Sequence, residues 1–264
     1  MRRTRKVLIL LLAILFLGSA GKVWGILGDY QAGVENYADL EQYVSFDRDR
    51  LESEDTVEKN DDLVANQETE GQDPDDTIFP SVDFAMLREI NADIVAWLYI
   101  EGTDINYPVV QGKDNSYYLN HLFDGTKNKA GCLFLDSRLD SGFADRNSVI
   151  YGHHLRNGTM FTGLMKYKKQ DFYDAHSRAL LLTPDGKYEV LFFSGYVSDT
   201  ASKAWEIDFA DITFEEWLLE IATHSYFKSD VVPSAEDQVV TLSTCTYEFD
   251  DARFVLHGVI REYD

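Results

Sequence analysis

Residues 241–260 read TLSTCTYEFDDARFVLHGVI. A β-branched, apolar run ends at Cys245, a polar loop of residues 246–252 follows, and a second strand-like run opens at Arg253. Paired as an antiparallel hairpin, the two runs bring Cys245 and Arg253 to the same rim by topology alone. An arginine stays charged under ordinary conditions and offers several N–H donors, so beside a thiol it stabilises a thiolate or a developing oxyanion.

Upstream, residues 148–154 read SVIYGHH, a strand-like run that ends in a glycine and presents His153 and His154 at once. Gly152 would let the backbone turn sharply there and set an imidazole at a strand end. A cysteine nucleophile with a histidine acid/base is the minimal kit for acyl transfer through a thioester. Each residue alone has a plainer reading: a cysteine as a small buried hydrophobe, a histidine as a structural residue, an arginine as half of a surface ion pair.

Around these motifs the pattern is short strands over 94–100, 105–111, 131–136, 148–153, 179–183, 188–197, 238–244 and 253–261. Helical spacing appears over 116–122, 160–167 and 213–227, the last with an apolar stripe of Phe214, Trp217, Leu218 and Ile221. Ser81 or Asp83 caps a first helix carrying Phe84, Leu87 and Ile90. The expected architecture is mostly β with peripheral helices, its eight strands closed or nearly closed into a barrel.

The N-terminal part is different in kind. Residues 1–6 are basic and residues 7–17, VLILLLAILFL, are unbroken apolar, so residues 1–28 are read as a membrane anchor, with a cleaved signal segment as the rival. The basic flank predicts a cytoplasmic N-terminus with everything after it outside. Tyr30, Val34, Tyr37, Leu40 and Tyr43 predict an amphipathic helix over 29–46, and the acidic, aromatic-free residues 47–77 predict a solvated linker, so residues 29–79 form a juxtamembrane region and residues 80–264 the folded domain.

The formal net charge of −22 and the lack of clustered Lys and Arg after the N-terminus exclude a nucleic-acid partner. Two cysteines, Cys132 and Cys245, are too few for a disulfide scaffold, and Cys132, in the run GCLFLD, reads as a core thiol. His121, His176, His224 and His257 lack metal-ligand spacing and no glycine-rich phosphate loop appears, so neither a metal nor a nucleotide cofactor is expected.

Taken together, TLSTC ending at Cys245, Arg253 eight residues on and the upstream YGHH resemble the signature of sortases, class B in particular. INYPVVQG (105–112), DNSYYLNH (114–121), KAGCLFLD (129–136) and NSVIYGHH (147–154) extend the resemblance across residues 80–264. It implies an eight-stranded sortase-type β-barrel with an N-terminal helix and a helix before the nucleophile strand. It also implies that Cys245 is the nucleophile, His153, which directly follows the glycine, the general acid/base, and Arg253 the oxyanion or substrate-positioning group. Asn115, Leu119, Tyr151 and Ser243 are implied to line the peptide groove, although each also reads as a core or hydrogen-bonding residue.

The implied activity is an extracellular cysteine transpeptidase that uses no cofactor. It cleaves the C-terminal sorting motif of a secreted protein after threonine and joins the acyl group to a peptidoglycan amine, from a single-pass position in the cell membrane. Three alternatives stand beside it: a secreted cysteine peptidase that releases the thioester to water, a pilin-polymerising sortase, and a noncatalytic surface-binding barrel.

Overall fold

The computed structural model describes residues 2–46 and 79–263, with side chains from Leu11 onward except at positions 13, 14 and 26. The linker expected over 47–77 lies outside the described residues.

The chain begins with one continuous helix, α1 (Arg2–Leu40), where the sequence suggests an anchor followed by a separate amphipathic helix. No proline interrupts residues 2–40, and the glycines weaken a helix without breaking it. Ahead of residue 28 the helix leaves large apolar side chains bare, with Phe16 72% and Trp24 81% exposed. Among the described residues, no helix is long and apolar enough to cross a membrane.

Near its C-terminal end, α1 buries Gly33, Tyr37 and Leu40, a stripe three to four residues apart that faces the barrel. The helix stops at Leu40, short of the expected Phe46, and a 3₁₀ turn at Glu41–Tyr43 redirects the chain. Val44–Phe46 (β1) then pairs antiparallel with Pro80–Val82 (β2). The β-branched and aromatic residues there are better placed in an extended pair than in a further helical turn. Of the two candidate caps, Asp83 closes α2 (Phe84–Ile90), its Oδ1 accepting from Met86 N–H at 3.0 Å.

Eight strands form a closed barrel: β3 (Ile94–Tyr99), β4 (Asn106–Val110), β5 (Leu133–Leu135), β6 (Asn147–Tyr151), β7 (Arg178–Leu182), β8 (Lys187–Ser198), β9 (Val239–Cys245) and β10 (Arg253–Glu262). The order around the barrel is β10-β8-β7-β3-β4-β5-β6-β9. The β4–β5 and β6–β9 contacts are parallel, and the other six are antiparallel.

Side-chain parity sorts β9 and β10 into two cores. Val240, Leu242, Phe254 and Leu256 join the main core with Leu98 and Phe192. Val239, Val255 and Val259 point the other way, into a second cluster with Trp217 and Ile221 of α4 (Phe214–Thr223). Thr213 and Glu216 cap α4 reciprocally, so the helix that covers this outer face has a defined start.

Two expected helices are 3₁₀ instead, at Tyr117–Leu119 and Phe161–Lys168. In the first, Asp114 Oδ1 accepts from the N–H groups of Ser116 and Tyr117, closing a tight turn that no α-helix continues. A further short helix, α3 (Gln170–Ala175), precedes β7.

Candidate active site

The hairpin expected at residues 241–260 forms, and its register is the first fact of the site: Arg253 pairs with Cys245 across β9 and β10. Directly paired residues project from the same face of a sheet. Here that face is the outer one, because Ser243, Val255 and Val239 share its parity and the last two belong to the α4 cluster. The loop between the strands is cinched by Thr246 N–H donating to Ala252 carbonyl at 3.0 Å, with Asp251 at a positive φ of 60°. It is tied to the neighbouring 3₁₀ helix by the Lys168–Glu248 ion pair.

The parallel contact supplies the histidines. Tyr151 pairs with Ser243, and Gly152 N–H donates to Ser243 carbonyl at 3.1 Å. Two further residues along each strand lead to His153 and Cys245, so the register carries them to adjoining strand ends. His154 Nδ1 donates to the Cys245 carbonyl at 3.0 Å. His153 Nε2 bonds to the Leu119 carbonyl at 2.8 Å. A carbonyl only accepts, so His153 carries its hydrogen on Nε2 and its Nδ1 is the basic nitrogen.

Gly152 is required for a different reason from the one the motif suggests. It does not adopt a positive φ; instead, a Cβ would come within 2.5 Å of Leu133 Cδ2 and 2.6 Å of the Phe161 ring. Only a bare backbone lets β6 pass this close to both.

The two thiols are distinct. Cys132 is buried, and desolvation pushes its thiol up to about 12, so it stays protonated and inert. Cys245 is free and partly exposed. Arg253 is half-buried and donates from Nη1 to its neighbour's Ala252 carbonyl at 3.0 Å; among the described residues it makes no ion pair. Among the described residues, no group of three or more His, Cys, Asp and Glu is arranged to hold a metal.

The four residues expected along a groove fare differently. Tyr151 donates its hydroxyl to Asp136 Oδ2 at 3.1 Å, and burial, then the Asp136 charge, raises its pKa. Burial would also raise Asp136, but bonds from Arg138 and Asn115 prevail and hold it at about 2. Asn115 accepts from Ser137 N–H at 2.8 Å beside that carboxylate. Leu119 is partly exposed and contributes the carbonyl that orients His153. Ser243 is buried, its Oγ accepting from Trp205 Nε1 at 2.8 Å. Trp205 thus anchors Ser243, two residues before Cys245, through a contact that no local pattern announces.

A family model described as the sortase domain matches residues 98–260, the span from β3 to β10. The chain belongs to the sortase family.

This sortase is 39% identical over 175 residues to Sortase B of Listeria monocytogenes, a match covering 65% of the chain and 71% of that relative. Its fold overlays a Staphylococcus aureus sortase B–substrate complex with TM-score 0.65 and 35% identity, over 69% of this chain and 85% of the other. A sortase B complexed with triglycine gives TM-score 0.65 and 36% identity, over 69% and 86% of the two chains. The likeness is therefore to class B, and the activity of this sortase is that of a cysteine transpeptidase.

Proposed function

We propose that Cys245 is the nucleophile, His153 the acid/base and Arg253 the oxyanion-stabilising group of a reaction that transfers a sorting peptide to a cell-wall amine. The observation that carries this reading is the combined register: Arg253 opposite Cys245, and Tyr151 opposite Ser243 two residues before His153 and Cys245.

In the first half-reaction the Cys245 thiol passes its proton to His153 Nδ1 and the resulting thiolate attacks the carbonyl of the motif's threonine. The Arg253 guanidinium balances the negative charge that builds on the carbonyl oxygen. As the tetrahedral intermediate collapses, His153 gives its proton to the departing amine and a thioester remains. In the second half-reaction a primary amine attacks the thioester, His153 takes the amine's proton, and the thiolate is expelled. Bond formation and cleavage balance, so no cofactor is needed.

The substrate-bound relative supports a peptide as the first partner, and the relative holding triglycine supports a short amine-bearing peptide as the second. For this chain we assign a peptidoglycan amine to that role, with the peptide running past Tyr151, Leu119 and Asn115. We further assign residues 1–28 to a membrane anchor, with the N-terminus cytoplasmic and residues 80–264 outside as the catalytic domain. The bare Leu15, Phe16, Leu17, Trp24 and Leu27 support this, since a bilayer would cover them.

The test is mass spectrometry of the enzyme after mixing with peptides of Asn-Pro-x-Thr pattern, with and without triglycine. The expected result is an acyl adduct on Cys245 that triglycine, far faster than water, releases as a ligated product. An adduct elsewhere, or release to water at the same rate, refutes the reading.

A further inference from the structure

His153 is seated by the Leu119 carbonyl, and both rest on Gly131. Gly131 has φ +62°, and a Cβ there would lie 3.1 Å from Leu119 O, 3.1 Å from His153 Cδ2 and 2.5 Å from Tyr118 O. The bare backbone at Gly131 is therefore the surface against which the imidazole and its acceptor pack. Its carbonyl receives the hydroxyl of Tyr37, a buried residue of α1, at 2.5 Å.

The joint is braced on both sides. Cys132 N–H donates to Tyr118 carbonyl and Asn128 N–H to Asn120 carbonyl, each at 2.9 Å, which locks residues 128–132 onto 118–120. From α1, the Asp29 carbonyl accepts from Asn128 Nδ2 at 2.7 Å, and Gly33 lies so near Ala130 that a Cβ on it would sit 3.2 Å from the alanine's.

We propose that Tyr37 is a positioning residue for the transfer reaction: its hydroxyl fixes the Gly131 carbonyl, and with it the seat that holds His153 in one tautomer. The C-terminal end of the N-terminal helix is then part of the catalytic scaffold as well as a tether. The inference rests on the reading of His153 as acid/base. A buried carbonyl that loses its donor turns to find another, and a glycine at positive φ turns at little cost. The ring is not what matters, since it also packs edge-on against Tyr107 at 5.1 Å and stays when only the hydroxyl is removed.

The experiment uses the detergent-solubilised full chain. In Tyr37→Phe, kcat for ligation of a sorting peptide to triglycine is expected to fall about tenfold at unchanged KM, because a small misplacement of a reacting group costs rate and not binding. Ring-nitrogen NMR of His153, assigned by its loss in His153→Gln, should show both tautomers where the parent shows Nε2–H alone. Asn36→Ala, which removes only the 2.9 Å bond to Asp124, should change neither readout. Parental kcat and a single tautomer in Tyr37→Phe overturn the proposal, as does the same defect in Asn36→Ala. An active His153→Gln enzyme overturns instead the reading on which it rests.

Discussion

Arg253 stands directly opposite Cys245 in the β9–β10 register, on the outer face of the barrel and free of any carboxylate partner among the described residues. Arg253→Lys keeps the charge and loses the planar fork of donors. Acylation by a sorting peptide is expected to slow about 10²–10³-fold with the melting temperature unchanged, the range typical of a lost oxyanion donor. Single-turnover kinetics checks it; a loss under about fivefold would place Arg253 outside the chemistry.

The adjacent histidines should separate cleanly. On the proposed acid/base role of His153, His153→Gln removes the proton-carrying nitrogen and should cost about 10³-fold in kcat/KM. His154→Gln keeps a donor for the Cys245 carbonyl and should cost under about tenfold. Comparing the two variants under one set of conditions decides which imidazole works.

His257 is buried among Phe193, Tyr196 and Trp217, its Nδ1 bonded to Thr241 Oγ1 at 2.9 Å. Burial lowers its pKa from 6.5 to about 3. The unfolded chain binds this proton at higher pH than the folded one, so the stabilisation is complete above 6.5 and is lost as pH falls from 6.5 towards 3. Between pH 7 and 5 the loss is about 2 kcal/mol. His257→Gln should flatten that limb of a plot of melting temperature against pH.

Glu248 behaves differently because it is partly in solvent. Desolvation opposes its ionisation, but bonds from Lys168 and Thr246 hold it at about 2. Its contribution is present above the usual carboxylate value and fades as pH drops from about 4.5 to 2; with this much exposure it is worth under about 1 kcal/mol. Lys168→Ala should therefore leave global stability nearly unchanged. Hydrogen exchange at residues 246–252 should nonetheless speed up, since the loop loses its tie to the 3₁₀ helix.

The hairpin is legible in residues 241–260 because strand parity and a polar loop are local patterns, and the register of Cys245 with Arg253 follows from them. His153 is legible for the same reason, as the first polar group after a strand. The 3₁₀ segments at Tyr117–Leu119 and Phe161–Lys168 read as α-helices in sequence because spacings of three and four are indistinguishable over so few residues. Trp205 on Ser243 and Tyr37 on Gly131 are out of reach: each is one hydrogen bond between residues 38 and 94 positions apart, with no periodicity to betray it.

The parallel seam between β6 and β9 also has a consequence in time. It joins partners such as Asn147 and Thr241, 94 residues apart, so it forms only after a long stretch of chain has been gathered in. Until that seam zips, neither His153 nor His154 is held beside Cys245 and Arg253. On the roles proposed above, an unfolded chain is therefore without its acid/base, and the site is completed in the same event that closes the barrel.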